Sequence, residues 1–98
     1  MVQINYIQER DELELQFKEC DIPYCKKLNG GITLEFDADD ELTSIILPNF
    51  FKLIQRQPDP NINFEYDKAI FDEYALTLIL KMNNQSINVK IDLTEIDK

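Results

Sequence analysis

The sequence predicts an α+β fold: a mostly antiparallel β-sheet built of hairpins, about six strands in all, with one or two short helices. Three observations carry this. Apolar residues alternate with polar ones over Ile32, Leu34 and Phe36, over Leu76, Leu78, Leu80 and Met82, and over Ile87, Val89, Ile91 and Leu93. Turn-forming residues separate the runs: Asp37, Asp39, Asp40 and Glu41 in the first half, Asn83-Asn84-Gln85 in the second. Helical spacing is confined to Phe50, Phe51, Leu53 and Ile54, with Asp67–Glu73 read as a further helical turn.

The elements follow in order. Val2–Ile7 reads as a strand with Val2, Ile4 and Tyr6 on one side. Leu13, Leu15 and Phe17 give the next, with Glu12, Glu14 and Gln16 facing water. Gln8-Glu9-Arg10-Asp11 is the polar turn between them. Cys20–Gly31 reads as a connection, because Pro23 lacks a ladder donor and Gly30-Gly31 marks a turn. A second hairpin follows, Ile32–Phe36 returning through the acidic turn toward Leu47. Pro48-Asn49 breaks the pattern ahead of the short helix, and Gln55–Asn63 is loop because it holds Pro58 and Pro60. The last third is a hairpin. A two-residue loop at Asn83-Asn84 or Asn84-Gln85 pairs apolar with apolar residues; a three-residue loop needs a bulge to do so. Ile79 adds an apolar residue to the other face of its strand, which places that strand centrally. The Phe50–Ile54 helix is expected to pack on the apolar face of the sheet.

Ninety-eight residues make a single domain, 1–98: a double hairpin over 2–47, a short helix and Pro loop over 48–63, and a C-terminal β extension over 64–98. A hydrophobic fraction of 44% supports a folded globule. The net charge of −9 repels phosphate, which argues against nucleic acid and anionic membrane as partners. Such a surface suits solubility, a basic partner or a divalent cation. No run approaches the roughly 18 apolar residues of a membrane span. The first residues lack a basic region followed by an apolar run, so the expected compartment is the cytoplasm. Cys20 and Cys25 have the wrong spacing for a redox motif, and without histidine one pair cannot complete a zinc site; two free thiols are expected.

Residues 2–47 carry a resemblance. Tyr6, Asp11, Leu13 and Leu15, followed by Phe36, Asp37, Asp39, Ile45 and Leu47, are similar to the pattern of the small uncharacterised bacterial family known as domain of unknown function 2283. Two positions depart from it: Ile7 stands where that family has Asp, and Asp40 where it has the turn glycine. Asp enters the left-handed region at modest cost, so the turn is expected to survive. The resemblance implies the double hairpin and brings no activity with it. An internal echo pairs Phe64-Glu65-Tyr66 and Asp72–Leu76 with Ile4-Asn5-Tyr6 and Asp11–Leu15, as a partial repeat would.

The candidate sites are three. Asp37, Asp39, Asp40 and Glu41 could contact a hard cation, but the twelve-residue calcium loop is absent and Asp serves hairpin turns for backbone reasons. Glu9, Asp11, Glu12 and Glu14 form a second acidic group, read as a solvated edge. Phe50, Phe51 and Ile54 are the candidate partner-binding patch, with one phenylalanine packed inward and the other sealing a subunit interface. No catalytic residue, metal ligand or cofactor is assigned: the chain has no histidine, no phosphate loop and no nucleophile–base pair. The expected function is a non-catalytic protein-binding or self-associating module, as a homodimer. The alternative is an acidic inhibitor or antitoxin-like protein covering a basic site on its partner.

Overall fold

In the computed structural model of the chain, the described residues are 2–57 and 61–94; Pro58 and Pro60 of the expected loop, and residues 95–98 of the tail, lie outside them. The strands are β1 (Gln3–Ile7), β2 (Glu12–Gln16), β3 (Tyr24–Lys27), β4 (Thr33–Phe36), β5 (Leu42–Leu47), β6 (Phe64–Phe71), β7 (Ala75–Met82) and β8 (Gln85–Asp92). Among the described residues one short α-helix, α1 (Phe50–Leu53), stands between β5 and β6, and short 3-10 turns cover Gln8–Arg10 and Asn29–Gly31. The strands form two antiparallel sheets, β1-β2-β5-β4-β3 and β6-β7-β8. The expectation of a mostly antiparallel sheet built of hairpins holds. Among the described residues its count of about six strands becomes eight, its one sheet becomes two, and one short α-helix remains beside two 3-10 turns.

Each sheet is apolar on one face, and the two faces meet. Leu13 and Leu15 of β2, Leu34 of β4 and Ile45 and Leu47 of β5 join Leu76, Leu78 and Leu80 of β7 and Ile87, Val89 and Ile91 of β8 in one buried cluster. A sheet with one apolar face must bury it, and a second such sheet is the simplest cover. At about 25 cal/mol per Å² of apolar surface this cluster dominates the stability of the domain. β7 is central in its sheet, as Ile79 predicts, though its outward residues Thr77 and Ile79 are only half-buried.

Two regions fold differently from expectation. Tyr24–Lys27, inside the expected connection, pairs with Thr33–Phe36 as the edge strand β3. Asp67–Glu73, expected as a helical turn, belongs to β6 and its following turn. The reason is a bulge: Tyr66 faces Leu80 and Lys68 faces Ile79, so Asp67 has no partner. The inward residues then fall at Phe64, Tyr66, Ala69 and Phe71, and the three-residue step from Tyr66 to Ala69 imitates helical spacing. The internal echo is not a structural copy either. Tyr6 faces Leu13 across a turn, whereas Tyr66 faces Leu80 and Tyr74 lies outside the strands.

The β7–β8 turn takes the first of the two allowed loops. Met82 pairs with Gln85, and Asn83 and Asn84 both have positive φ, 52° and 69°. This is the backbone of a primed two-residue turn, which matches the twist of its strands.

Candidate functional site

Asp11 joins the first hairpin to the helix. It occupies the left-handed region at φ 47°. Its carboxylate accepts the Tyr6 hydroxyl at 2.7 Å and the Phe51 N–H at 3.2 Å to each oxygen. Its carbonyl accepts the Phe50 N–H at 2.9 Å. One residue thus satisfies the first donors of α1, which a four-residue helix cannot satisfy itself. With the helix held there, Phe50 and Phe51 turn into the core, 0% and 1% exposed. Their rings pack edge-on to each other, and both lie against Phe64. Tyr6 completes the group, 5.4 Å from Phe51.

This corrects the expected partner-binding patch. Neither Phe50 nor Phe51 reaches the surface, because the Asp11 anchor points both rings between the sheets. Ile54 is half-buried beside Ser86, Ile87 and Asn88. The acidic group of the first hairpin is corrected as well: β2, which carries Glu12 and Glu14, lies between β1 and β5 and is not an edge. Burial and the neighbouring Glu12 carboxylate push Glu14 above the usual carboxylate range.

The acidic turn between β4 and β5 is built by its own side chains. Asp37 Oδ1 accepts the N–H groups of Asp39 and Glu41, at 2.9 and 3.0 Å. Asp40 takes the left-handed position at φ 62°, where the family pattern has glycine. Lys18 bridges Asp37 and Glu41, the latter at 2.8 Å, and Tyr24 donates its hydroxyl to Asp40. The Lys18 ammonium, and then the Glu41 N–H, hold the Asp37 carboxyl below its ordinary range. Among the described residues, no three His, Cys, Asp or Glu side chains converge as a metal site. Cys20 and Cys25 are free thiols, and Cys25 faces Glu35 at 3.7 Å, with burial and that carboxylate raising its pKa.

Beside this turn the sandwich opens. An apolar groove of about 590 Å³ lies between β6 and the β4–β5 hairpin. Phe17, Phe36, Tyr66 and Phe71 supply aromatic walls, Leu42 and Leu93 supply aliphatic ones, and Asp40 and Glu41 stand at its rim. Both walls are shaped by bulges. On β5, Glu35 pairs with Ser44 and Phe36 with Leu42, so Thr43 is the extra residue and Leu42 turns inward. On β6, Asp67 is the extra residue, and Ala69 and Phe71 turn inward past it. Phe71 nevertheless stays 56% exposed. Bulges concentrate at sheet rims and beside binding sites because they re-aim side chains in this way. Burial raises the Tyr66 pKa, with the Asp67 charge adding to it, so the phenol stays neutral in the groove.

The acidic turn was legible in the sequence and the groove beside it was not. Its residues come from four separated segments, and the one available signal was the broken alternation between Tyr66 and Ala69. No protein-family model matches the chain, and the comparisons with curated proteins and with solved structures found no match. No helix among the described residues is long and apolar enough to cross a membrane.

Proposed function

We propose that the chain is a non-catalytic protein-binding module that engages its partner at the open end of the sandwich. The observation that supports this most directly is the groove between β6 and the β4–β5 hairpin, with apolar walls beside a carboxylate rim. Apolar area and complementary charge side by side are what a specific protein contact uses. The module works in the cytoplasm and without a cofactor. Residues 2–47 are proposed as kin of the domain of unknown function 2283 family. The support for that kinship is that Tyr6, Asp11 and Asp37 each have a defined task in the double hairpin.

The alternative form of this reading is an acidic inhibitor covering a basic site, favoured by the net charge of −9 and the carboxylate turn. Self-association as a homodimer is favoured by Ile70, on the outer face of β6, and Tyr74, in the turn after it, 49% and 62% exposed. Affinity capture from native lysate at low and high salt, together with sizing of the purified chain, tests the proposal. A specific protein retained, or a stable dimer, supports it. A monomer that retains no protein at either salt overturns it.

A further inference from the structure

Resting on that binding-module reading, we infer that the groove takes a basic segment of a partner protein, anchored by an aromatic or long aliphatic side chain. The volume of about 590 Å³ falls within the range of sites that enclose a ligand, about 300–1,000 Å³. Among the described residues, its walls below the rim offer an occupant no polar side chain besides the Tyr66 phenol, which favours an apolar group there. At the rim the balance is anionic. Asp37, Asp39, Asp40 and Glu41 crowd one turn, and Lys18 is the cation that meets them. Asp40 and Glu41 are the two that line the groove itself.

An anionic rim around an apolar slot selects a cation next to an apolar group. Lysine and arginine beside phenylalanine, tryptophan or leucine meet that requirement within a few residues of chain. A cation of the chain already lies over one of the groove rings: the Lys26 ammonium sits 5.6 Å from the centroid of Phe36. Phe71 gives the anchor a ring to pack on, since its inward register leaves it uncovered. An acidic segment would meet like charge at the rim.

The test starts from a random library of linear heptapeptides displayed on phage and selected on the full chain. Synthetic versions of the enriched peptides are then measured by fluorescence anisotropy. The comparison uses two variants, D40N/E41Q and F71A. Asn keeps the left-handed conformation at position 40 and can still accept the Tyr24 hydroxyl, and Asp37 still holds Lys18 in the double variant. The expected result is enrichment of Lys or Arg next to an aromatic or aliphatic residue. Affinity should fall by about tenfold in each variant while both remain folded at the assay temperature, and it should weaken as salt rises. Amide shift changes should gather at Leu42, Tyr66, Ala69, Phe71 and Leu93. Neutral or acidic enrichment, no enrichment, or equal affinity in the variants overturns the inference. So does phenethylammonium binding as tightly as the peptides, which would make the site one for a free organic cation, or a dimer that closes the groove. If the lysate partner is retained by both variants, this inference fails and the groove is not the contact, while a protein-binding module that engages its partner elsewhere still stands.

Discussion

The Tyr6 hydroxyl donates a 2.7 Å hydrogen bond to the Asp11 carboxylate, five residues away across the first turn. The same carboxylate holds the N–H of Phe51, forty residues away. Asp11 therefore fixes the hairpin and the phenylalanine pair at once. D11A removes both bonds and forces alanine into a left-handed conformation, so it should cost about 3 kcal/mol in urea unfolding. D11N tolerates the backbone and keeps one acceptor, so it should lose about 1 kcal/mol. Equal losses in the two variants would show that neither the left-handed backbone nor the acceptor kept by Asn contributes.

Tyr6 should titrate late. Burial, then the hydrogen bond to Asp11 and the charge of Asp11, push its pKa from 10.0 up to about 12. The folded state keeps a proton that the unfolded chain releases near pH 10.0. The associated stability is complete below that pH and is lost as pH rises through about 12. Urea midpoints measured between pH 9 and 12 should fall in this window. Y6F should show a shallower fall.

The same substitution should have very unequal costs at two phenylalanines. F51A empties a buried position and should cost about 3–5 kcal/mol. F71A truncates a half-exposed ring in the groove and should cost less than about 1 kcal/mol. Thermal unfolding of both variants checks this. Comparable losses would mean that the groove wall is part of the core.

Lys18 should set the acid response of the β4–β5 turn. Its ammonium is the foremost cause of the lowered Asp37 pKa. A carboxylate depressed in the folded state stabilises above its ordinary pKa of 3.8, and that contribution is lost as pH falls through the lower folded value. K18M should bring Asp37 back toward its ordinary value and shrink this window. Carboxyl carbon NMR titration of the two proteins reads the change. An unmoved Asp37 would assign the shift to the backbone N–H groups instead.

The β7–β8 turn should accept glycine and reject branching. N84G relieves the φ of 69° and should change stability by no more than about 0.5 kcal/mol, whereas N84V should cost about 1–2 kcal/mol. Denaturant midpoints distinguish the two. Equal costs would show that the turn does not depend on its left-handed residues.

Much of this fold was readable from side-chain alternation alone. Leu76–Met82, apart from Ile79, and Ile87–Leu93 alternate, and their turn carries two asparagines, so that hairpin was plain. Tyr24-Cys25-Lys26-Lys27 was not, because an edge strand exposed on both faces imposes no apolar period. The β6 strand was hidden by one unpaired residue, which turned a period of two into a step of three. The burial of both Phe50 and Phe51 depends on Asp11, and no local pattern announces a contact made across forty residues. The groove was unreadable for a related reason. Its walls are Phe17, Phe36, Leu42, Tyr66, Phe71 and Leu93, which only the packing of the two sheets brings together.

The unpaired Asp67 has one more implication, for the gene rather than for the protein. Tyr66 and Lys68 keep their cross-strand partners on either side of it. Deleting that one codon would leave Phe64, Tyr66, Ala69 and Phe71 facing inward in a regular ladder. Strands ordinarily forbid single-residue length changes, since a one-residue slip turns every later side chain to the opposite face. Position 67 is a place where such a change can be made without that penalty. It would alter the bend of the groove wall while leaving its lining intact.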